Sequence, residues 1–435
     1  MGLVSDILRT QAVRSRVGFR SLLEVLHRFD IPLLSLPGGK SHIAVGAFEA
    51  EGVLRRPDDF LAGYPKARKL LCQPFILGMD RTDAYLQQRK ELEEAVLKLG
   101  ETLASDLAER EACSVDLEAS RGLQVDLVSR FTDRVAYGTI ASFLFPPGAL
   151  AEARSKALDA EPGTPTIAFW ARKLGLPVGY ARPESLSVER ASRLVVEELR
   201  EYIRKLTASA LREAGSAPSR QVFDLLAGGP PADSRGTGAC EDYYERVFSR
   251  AAGLLASSLA LSKALNYSID EILHRPSVRD EVVRLSRAED YDALRLYIWE
   301  ALRFRPAFPV LVRFVPRSTG LVLRSGEVRE IPAGSQVSVA TCAALFDPEL
   351  VTRPEVFLPS RFASNPDRLL GFQFGFPERQ CLGRELAARA LPHFIGALFR
   401  QPFIASAGPG RIEWDGLAID RYWVRGSSAP ARALP

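Results

Sequence analysis

"FGFPERQCLGRELA", residues 374–387, sets Cys381 two places after Arg379 and two before Gly383, at the head of an amphipathic run. The pattern over Leu382 to Arg400 predicts a helix with Pro392 inside it. Cys381 therefore stands just before the first turn, where unpaired N–H groups and the helix dipole favour thiolate over thiol. Gly383 has no side chain and lets backbone or a flat ligand approach the sulfur. Redox chemistry, a metal and simple space filling are the three readings of such a cysteine, and a lone buried cysteine is most often a small hydrophobe. The residues around it have to decide.

The other cysteines, at 72, 113, 240 and 342, are widely spaced, and the total of five is odd. That argues against a disulfide framework and for a reducing cytoplasm. The histidines at 27, 42, 274 and 393 show no metal-ligand spacing. No G-x-G-x-x-G follows a strand signal and no P-loop occurs, so neither a nucleotide site nor a fused reductase is indicated. The 435 residues carry a net charge of +4, with 46% hydrophobic and 25% charged residues. This is an ordinary globular composition without the basic runs expected for nucleic acid. No apolar stretch reaches a membrane-spanning length, and the N-terminal twenty residues lack a signal-peptide core, so no membrane anchor is expected.

Helical periodicity dominates. Residues 83–111 and 186–215 repeat apolar positions at helical spacing, with a breaker-rich loop at 228–239. A longer candidate, 243–274, stops before Pro276 and is apolar on every face at its centre, which predicts deep burial. Strand signals are few: 41–54, 320–340 and 411–426 each read as a hairpin. No repeat or Ser/Gly linker divides the chain. The expectation is one domain over residues 1–435, mainly α with small β-sheets.

A thiolate on a helix N-terminus, offered to something planar, suits axial ligation of haem iron. Arg379 can direct a guanidinium at a carboxylate beside such a group. Upstream, "YIWEALRFRP" (297–306) places Glu300 and Arg303 on one helix face. The apolar run around them suggests an internal pair rather than a surface one. "RPEVFLPSRF" (353–362) offers Arg361 as a second arginine for Glu300.

Glu-x-x-Arg at 300–303, Pro-x-Arg-Phe at 359–362, then Phe374, Arg379, Cys381, Gly383 and Ala387 in this order resemble the cytochrome P450 superfamily. The match is close over the C-terminal two-fifths and loose elsewhere. The resemblance implies a triangular-prism fold, haem b, Cys381 as the iron ligand, and Glu300, Arg303 and Arg361 as a structural triad. It implies Arg379 and Arg313 as propionate partners. Where the family shows His-x-x-x-Arg, this chain has Tyr85-x-x-x-Arg89, so Arg89 can still meet a propionate and Tyr85 can donate one hydrogen bond. An ordinary half-buried aromatic is the alternative for Tyr85.

Two departures stand out. Pro377 replaces the glycine usual four residues before the cysteine, fixing φ and removing an N–H. The acid–alcohol pair of the central helix should fall at Leu259 and Ala260, and from Val247 to Ile269 there is no Asp, Glu or Thr. Ser257, Ser258 and Ser262 are the nearby hydroxyls; they can relay protons through water or bond back to their own helix.

The resemblance implies monooxygenation of a small apolar or natural-product-like compound, as in secondary metabolism. Oxygen would come from O2 and electrons from a separate ferredoxin with its reductase, or a flavodoxin. Arg368, Arg384 and Arg389 are candidates for the docking face. A substrate already at the peroxide level, processed by isomerisation, dehydration or peroxygenation without a reductase, is the alternative, and a haem-binding protein without turnover is a third. The family's substrate lid would fall at 160–183, with Phe169 and Trp170 hinting at an apolar ligand.

Overall fold

The computed structural model describes residues 32–62, 79, 81–98, 102–119, 124–144, 197, 200–201, 203–205, 207, 237–364, 366–415 and 418–425. In chain order the elements begin with strands β1 (Leu33–Ser35) and β2 (Ser41–Ala44), helix α1 (Ala47–Leu54) and strand β3 (Leu61–Ala62). Helices α2 (Asp83–Lys98) and α3 (Thr102–Ala119), strand β4 (Val125–Asp126), a π-helical turn (Val128–Thr132) and helix α4 (Asp133–Leu144) follow. Helix α5 (Thr237–Leu273) leads into α6 (Pro276–Arg287) and α7 (Tyr291–Phe304). Next come strands β5 (Leu311–Phe314), β6 (Thr319–Val322), β7 (Val328–Ile331) and β8 (Gln336–Val339) and short helix α8 (Thr341–Ala344). Helices α9 (Arg361–Ser364), α10 (Pro366–Phe374), α11 (Arg384–Phe399) and α12 (Pro402–Ala405) precede strands β9 (Arg411–Asp415) and β10 (Ala418–Val424). The mainly α architecture with small sheets matches the expectation.

The chain forms two compact units. The first comprises Met1–Gly63, Tyr267–Val278 and Asp290–Arg384. Its five-stranded sheet has the order β1-β2-β8-β5-β3, with β2 and β8 parallel and the other neighbours antiparallel. Strands β6 and β7 form a separate hairpin. Ile298, Ala301 and Leu302 from α7, Val337 and Val339 from β8, and Ala343 to Leu345 are buried here. The second unit comprises Tyr64–Asn266, Arg279–Glu289 and Glu385–Pro435. Its sheet is β4-β10-β9, and Phe131, Phe248, Phe394, Phe399 and Tyr422 belong to its core.

Several expectations need correction. Residues 41–54 are not a hairpin: β2 pairs with β1 and β8, and the rest is helix α1. "AFEAEGVL" is rich in helix formers, Gly46 caps it in an extended conformation, and Asp347 Oδ2 accepts from Ala47 N at 2.8 Å. Within 320–340 only β6 and β7 form the hairpin, while β8 joins the large sheet. The 411–426 hairpin is present as β9–β10. The helix foreseen over 83–111 is two helices, flanking residues 99–101, which lie outside the described residues. Helix α5 begins at Thr237, within the stretch read as loop. Its centre is not buried on every face, since Ser257 is exposed and Leu259 and Ala260 are half-buried. Most of 186–215 and the whole 160–183 segment, with Phe169 and Trp170, lie outside the described residues.

Candidate active site around Cys381

The Cys381 loop folds on itself before it meets any ligand. Cys381 N donates to Phe374 O at 2.6 Å, and Arg379 N donates to Phe376 O at 2.9 Å. Between them Pro377–Arg379 form one 3-10 turn with Pro377 at its start. A missing N–H costs nothing at that position, and the fixed φ suits it. The turn therefore tolerates the proline that replaces the family's glycine. The reversal before it falls to Gly375, at φ +85°. A Cβ there would stand 2.8 Å from the Arg379 carbonyl oxygen, so both conformation and space demand glycine.

Aromatic packing ties this loop to its own unit. Phe376 is buried, meets Phe372 edge-on at 5.2 Å and lies under the Arg55 guanidinium at 4.4 Å. A Cβ on Gly371 would come within 2.6 Å of the Phe376 ring, which explains a glycine in α10 despite its helical cost. Phe374 meets Trp299 of α7 edge-on at 5.1 Å, and Gln373 Nε2 donates to Trp299 O at 2.9 Å. The loop is thus indexed to helix α7.

Helix α7 is held by the Glu300–Arg303 pair. Arg303 donates to both Glu300 oxygens, Nε at 2.9 Å and Nη2 at 2.8 Å, and both side chains have no exposed surface. The guanidinium also reaches Leu345 O and Pro354 O and lies over the rings of Phe304 and Phe346. Glu300 Oε1 accepts from Leu358 N at 2.8 Å and has Arg361 Nε 3.5 Å away. Arg361 in turn donates to the Thr352, Arg353 and Val356 carbonyls. Burial lowers its pKa below the ordinary guanidinium value, with Glu300 opposing that shift. The structure thus brings Glu300, Arg303 and Arg361 together as one buried pair with a flanking arginine, clamping the irregular 352–358 segment.

Three thiols are described and they differ. Cys342 is buried, and burial pushes its pKa up to about 12, so it is an inert core residue. Cys113 lies on α3 in the second unit, exposed, with Gln401 Nε2 at 3.9 Å. Cys381 is exposed at the mouth of its loop. A Cβ on Gly383 would meet only Cys381 Sγ, at 3.7 Å. Open space lies over that glycine, as a flat ligand on the sulfur would need. Arg379 and Arg313 are half-buried members of the same unit, and Arg313 Nη1 donates to Val312 O at 2.9 Å. A thiol, two guanidinia and an uncluttered glycine form a donor set that fits haem.

The remaining candidates belong to the second unit. Tyr85 is buried and accepts from Arg89 Nη1 at 3.3 Å. Arg89 also pairs with Glu93 at 2.6 Å. On α5, Ser257 Oγ donates to Leu254 O at 2.5 Å, the back-bonding arrangement. Ser258 is fully buried.

Sequence reasoning missed one buried polar network. Ser262 Oγ donates to Asp133 Oδ1 at 2.6 Å, and Asn266 Nδ2 donates to Thr132 Oγ1 at 2.9 Å. An acid does reach the central helix, supplied from 129 residues away. The i, i+4 spacing of Ser258, Ser262 and Asn266 was the available signal. Of the docking-face arginines, Arg368 pairs with Glu51 at 2.7 Å and Arg384 with Asp367 at 3.4 Å; Arg389 is exposed. Burial raises the Glu51 pKa, but Arg55 and Arg368 together hold it below the usual carboxylate range.

Among the described residues no helix is long and apolar enough to cross a membrane. Residues 253–401 match the family model for cytochrome P450. Cytochrome P450 81F4 of Arabidopsis thaliana is 28% identical over 179 residues, covering 37% of this chain and 35% of its own. Cytochrome P450 monooxygenase aneF of Aspergillus aculeatus is 26% identical over 196 residues, covering 41% of this chain and 38% of its own. The chain thus spans little more than a third of these relatives' length. The crystal structure of P450BioI bound to an acyl carrier protein carrying hexadec-9Z-enoic acid superposes with a TM-score of 0.70 at 17% identity, covering 96% of this chain and all of that one. With the ordered motifs, the sequence match and this whole-chain likeness of fold in hand, the chain belongs to the cytochrome P450 superfamily.

Proposed function

We propose that the chain is a haem-thiolate oxidoreductase that acts as one functional domain over residues 1–435. In this reading it inserts oxygen into a small apolar or natural-product-like compound, drawing electrons from a separate ferredoxin or flavodoxin donor. The carrying observation is the Cys381 loop: an exposed sulfur beside the open side of Gly383, preset by Gly375 and indexed to a buried Glu300–Arg303 pair. In this role Cys381 holds the iron and Arg379, Arg313 and Arg89 take the propionates. Tyr85 orients Arg89 through its hydroxyl, and Phe374 packs beside the ligand loop. The haem, when bound, supplies oxygen activation, with thiolate electron donation favouring O–O cleavage. The relative aneF carries the name monooxygenase, which supports the reaction class.

A second reading rests on α5. Leu259 and Ala260 carry no proton donor, and Ser257 spends its hydroxyl on its own backbone. A hydroperoxide substrate would need neither a reductase nor a relay. Purified protein given an electron-transfer pair with O2, or an organic hydroperoxide alone, separates the two. The proposal expects substrate oxidation with the former. Turnover confined to the hydroperoxide would replace monooxygenation with peroxide rearrangement or peroxygenation.

A further inference from the structure

A monooxygenase consumes two protons for each O2: RH + O2 + 2 H⁺ + 2 e⁻ gives ROH + H2O, the electrons coming from the reduced donor protein. The proposed function therefore raises a question of supply. On that reading, Leu259 and Ala260 face the distal side. At about 100° per residue, Ser258 and Ser262 each lie two residues and some 160° from Ala260, on the opposite face of the helix. Their stripe continues to Asn266 and is met by Asp133 and Thr132. The Asp133–Ser262 pair is an acid and an alcohol in contact, yet it faces away from Ala260 and ties α5 to the start of α4. Ser257, three residues before Ala260 and on its side, donates to Leu254 O.

Lys263 remains. It is the sole Lys, Arg, Asp, Glu or His between Arg250 and Asp270, and its side chain is half-buried. It follows Leu259 by four residues and Ala260 by three, the two spacings that make helix neighbours. We propose that Lys263 is the proton-supplying group of the central helix, its ammonium standing in function where an acid–alcohol pair is lacking. In each cycle Nζ releases a proton towards the reduced oxygen and regains one from solvent, so the lysine is unchanged after turnover. The same positive charge favours anions on the distal side.

This inference rests on the monooxygenase reading, so wild-type holoprotein is tested first. No thiolate-type carbon monoxide band, or no turnover with donors and O2, removes the proposed function and this inference with it. Given both, Lys263→Gln and Lys263→Arg are compared by two readouts: azide titration of the ferric protein, and the fraction of electrons diverted to hydrogen peroxide. Lys263→Gln is expected to raise the azide dissociation constant roughly threefold to tenfold, as loss of a nearby unit charge would, and to divert electrons to peroxide. Arginine keeps the charge but does not release its proton. Lys263→Arg is therefore expected to keep azide affinity while remaining uncoupled. Wild-type azide affinity and coupling in Lys263→Gln would overturn the proposal, as would full coupling in Lys263→Arg. Should Lys263→Gln fail to fold, uncoupling in Lys263→Arg alone decides.

Discussion

Arg303 and Glu300 form an ion pair without solvent, a costly arrangement unless every donor and acceptor is used. Here the carboxylate takes Arg303 twice and Leu358 N once, while the guanidinium adds carbonyls of the 345–356 region. Replacing Arg303 by Met leaves a buried carboxylate short of its partner and is expected to cost about 3–5 kcal/mol in urea unfolding. The double replacement Glu300→Met with Arg303→Met should cost less than the sum of the singles, because no charge is then stranded. His42 offers a test in pH. Burial chiefly lowers its pKa, with Arg329 adding to the shift and the Gly39 backbone opposing it. The unfolded chain thus binds the proton more readily, and stability should fall as pH drops below roughly 6.5. His42→Gln should flatten that slope in urea midpoints measured across pH 7.5 to 5.5. An unchanged slope would remove His42 from the acid response.

At the scale of elements, the loop of residues 374–383 separates two kinds of glycine. Gly375 is required by the protein itself, through its positive φ and the Arg379 carbonyl beside it. Gly383→Ala would meet only Cys381 Sγ at 3.7 Å. Gly375→Ala is therefore expected to cost about 1–3 kcal/mol in the haem-free protein. Gly383→Ala should leave haem-free stability nearly unchanged and weaken haem retention. Equal effects of the two on haem-free stability would contradict this division. Helix α5 carries a comparable division between its faces: Ser258, Ser262 and Asn266 share the face that meets Thr132 and Asp133, and Ala260 lies opposite.

For the whole molecule, the C-terminal part was legible because its signals are local. Glu300 and Arg303 are one helical turn apart, and the Cys381 motif is contiguous; periodicity and spacing suffice for both. What escaped is long-range or competitive. The Asp133–Ser262 contact joins residues distant in sequence, and nothing in either helix alone announces it. The 41–54 stretch alternates like a strand at its start. It becomes helix after Gly46 because Ala and Glu favour it and Asp347, 300 residues on, accepts the first N–H. Lys263 was passed over because one charge in an apolar helix carries no pattern. The most direct test of the account is the carbon monoxide difference spectrum of the reduced holoprotein, wild type against Cys381→His. The account predicts a thiolate-type Soret band in the wild type that is lost in the variant. A band that persists when Cys381 is replaced would contradict it.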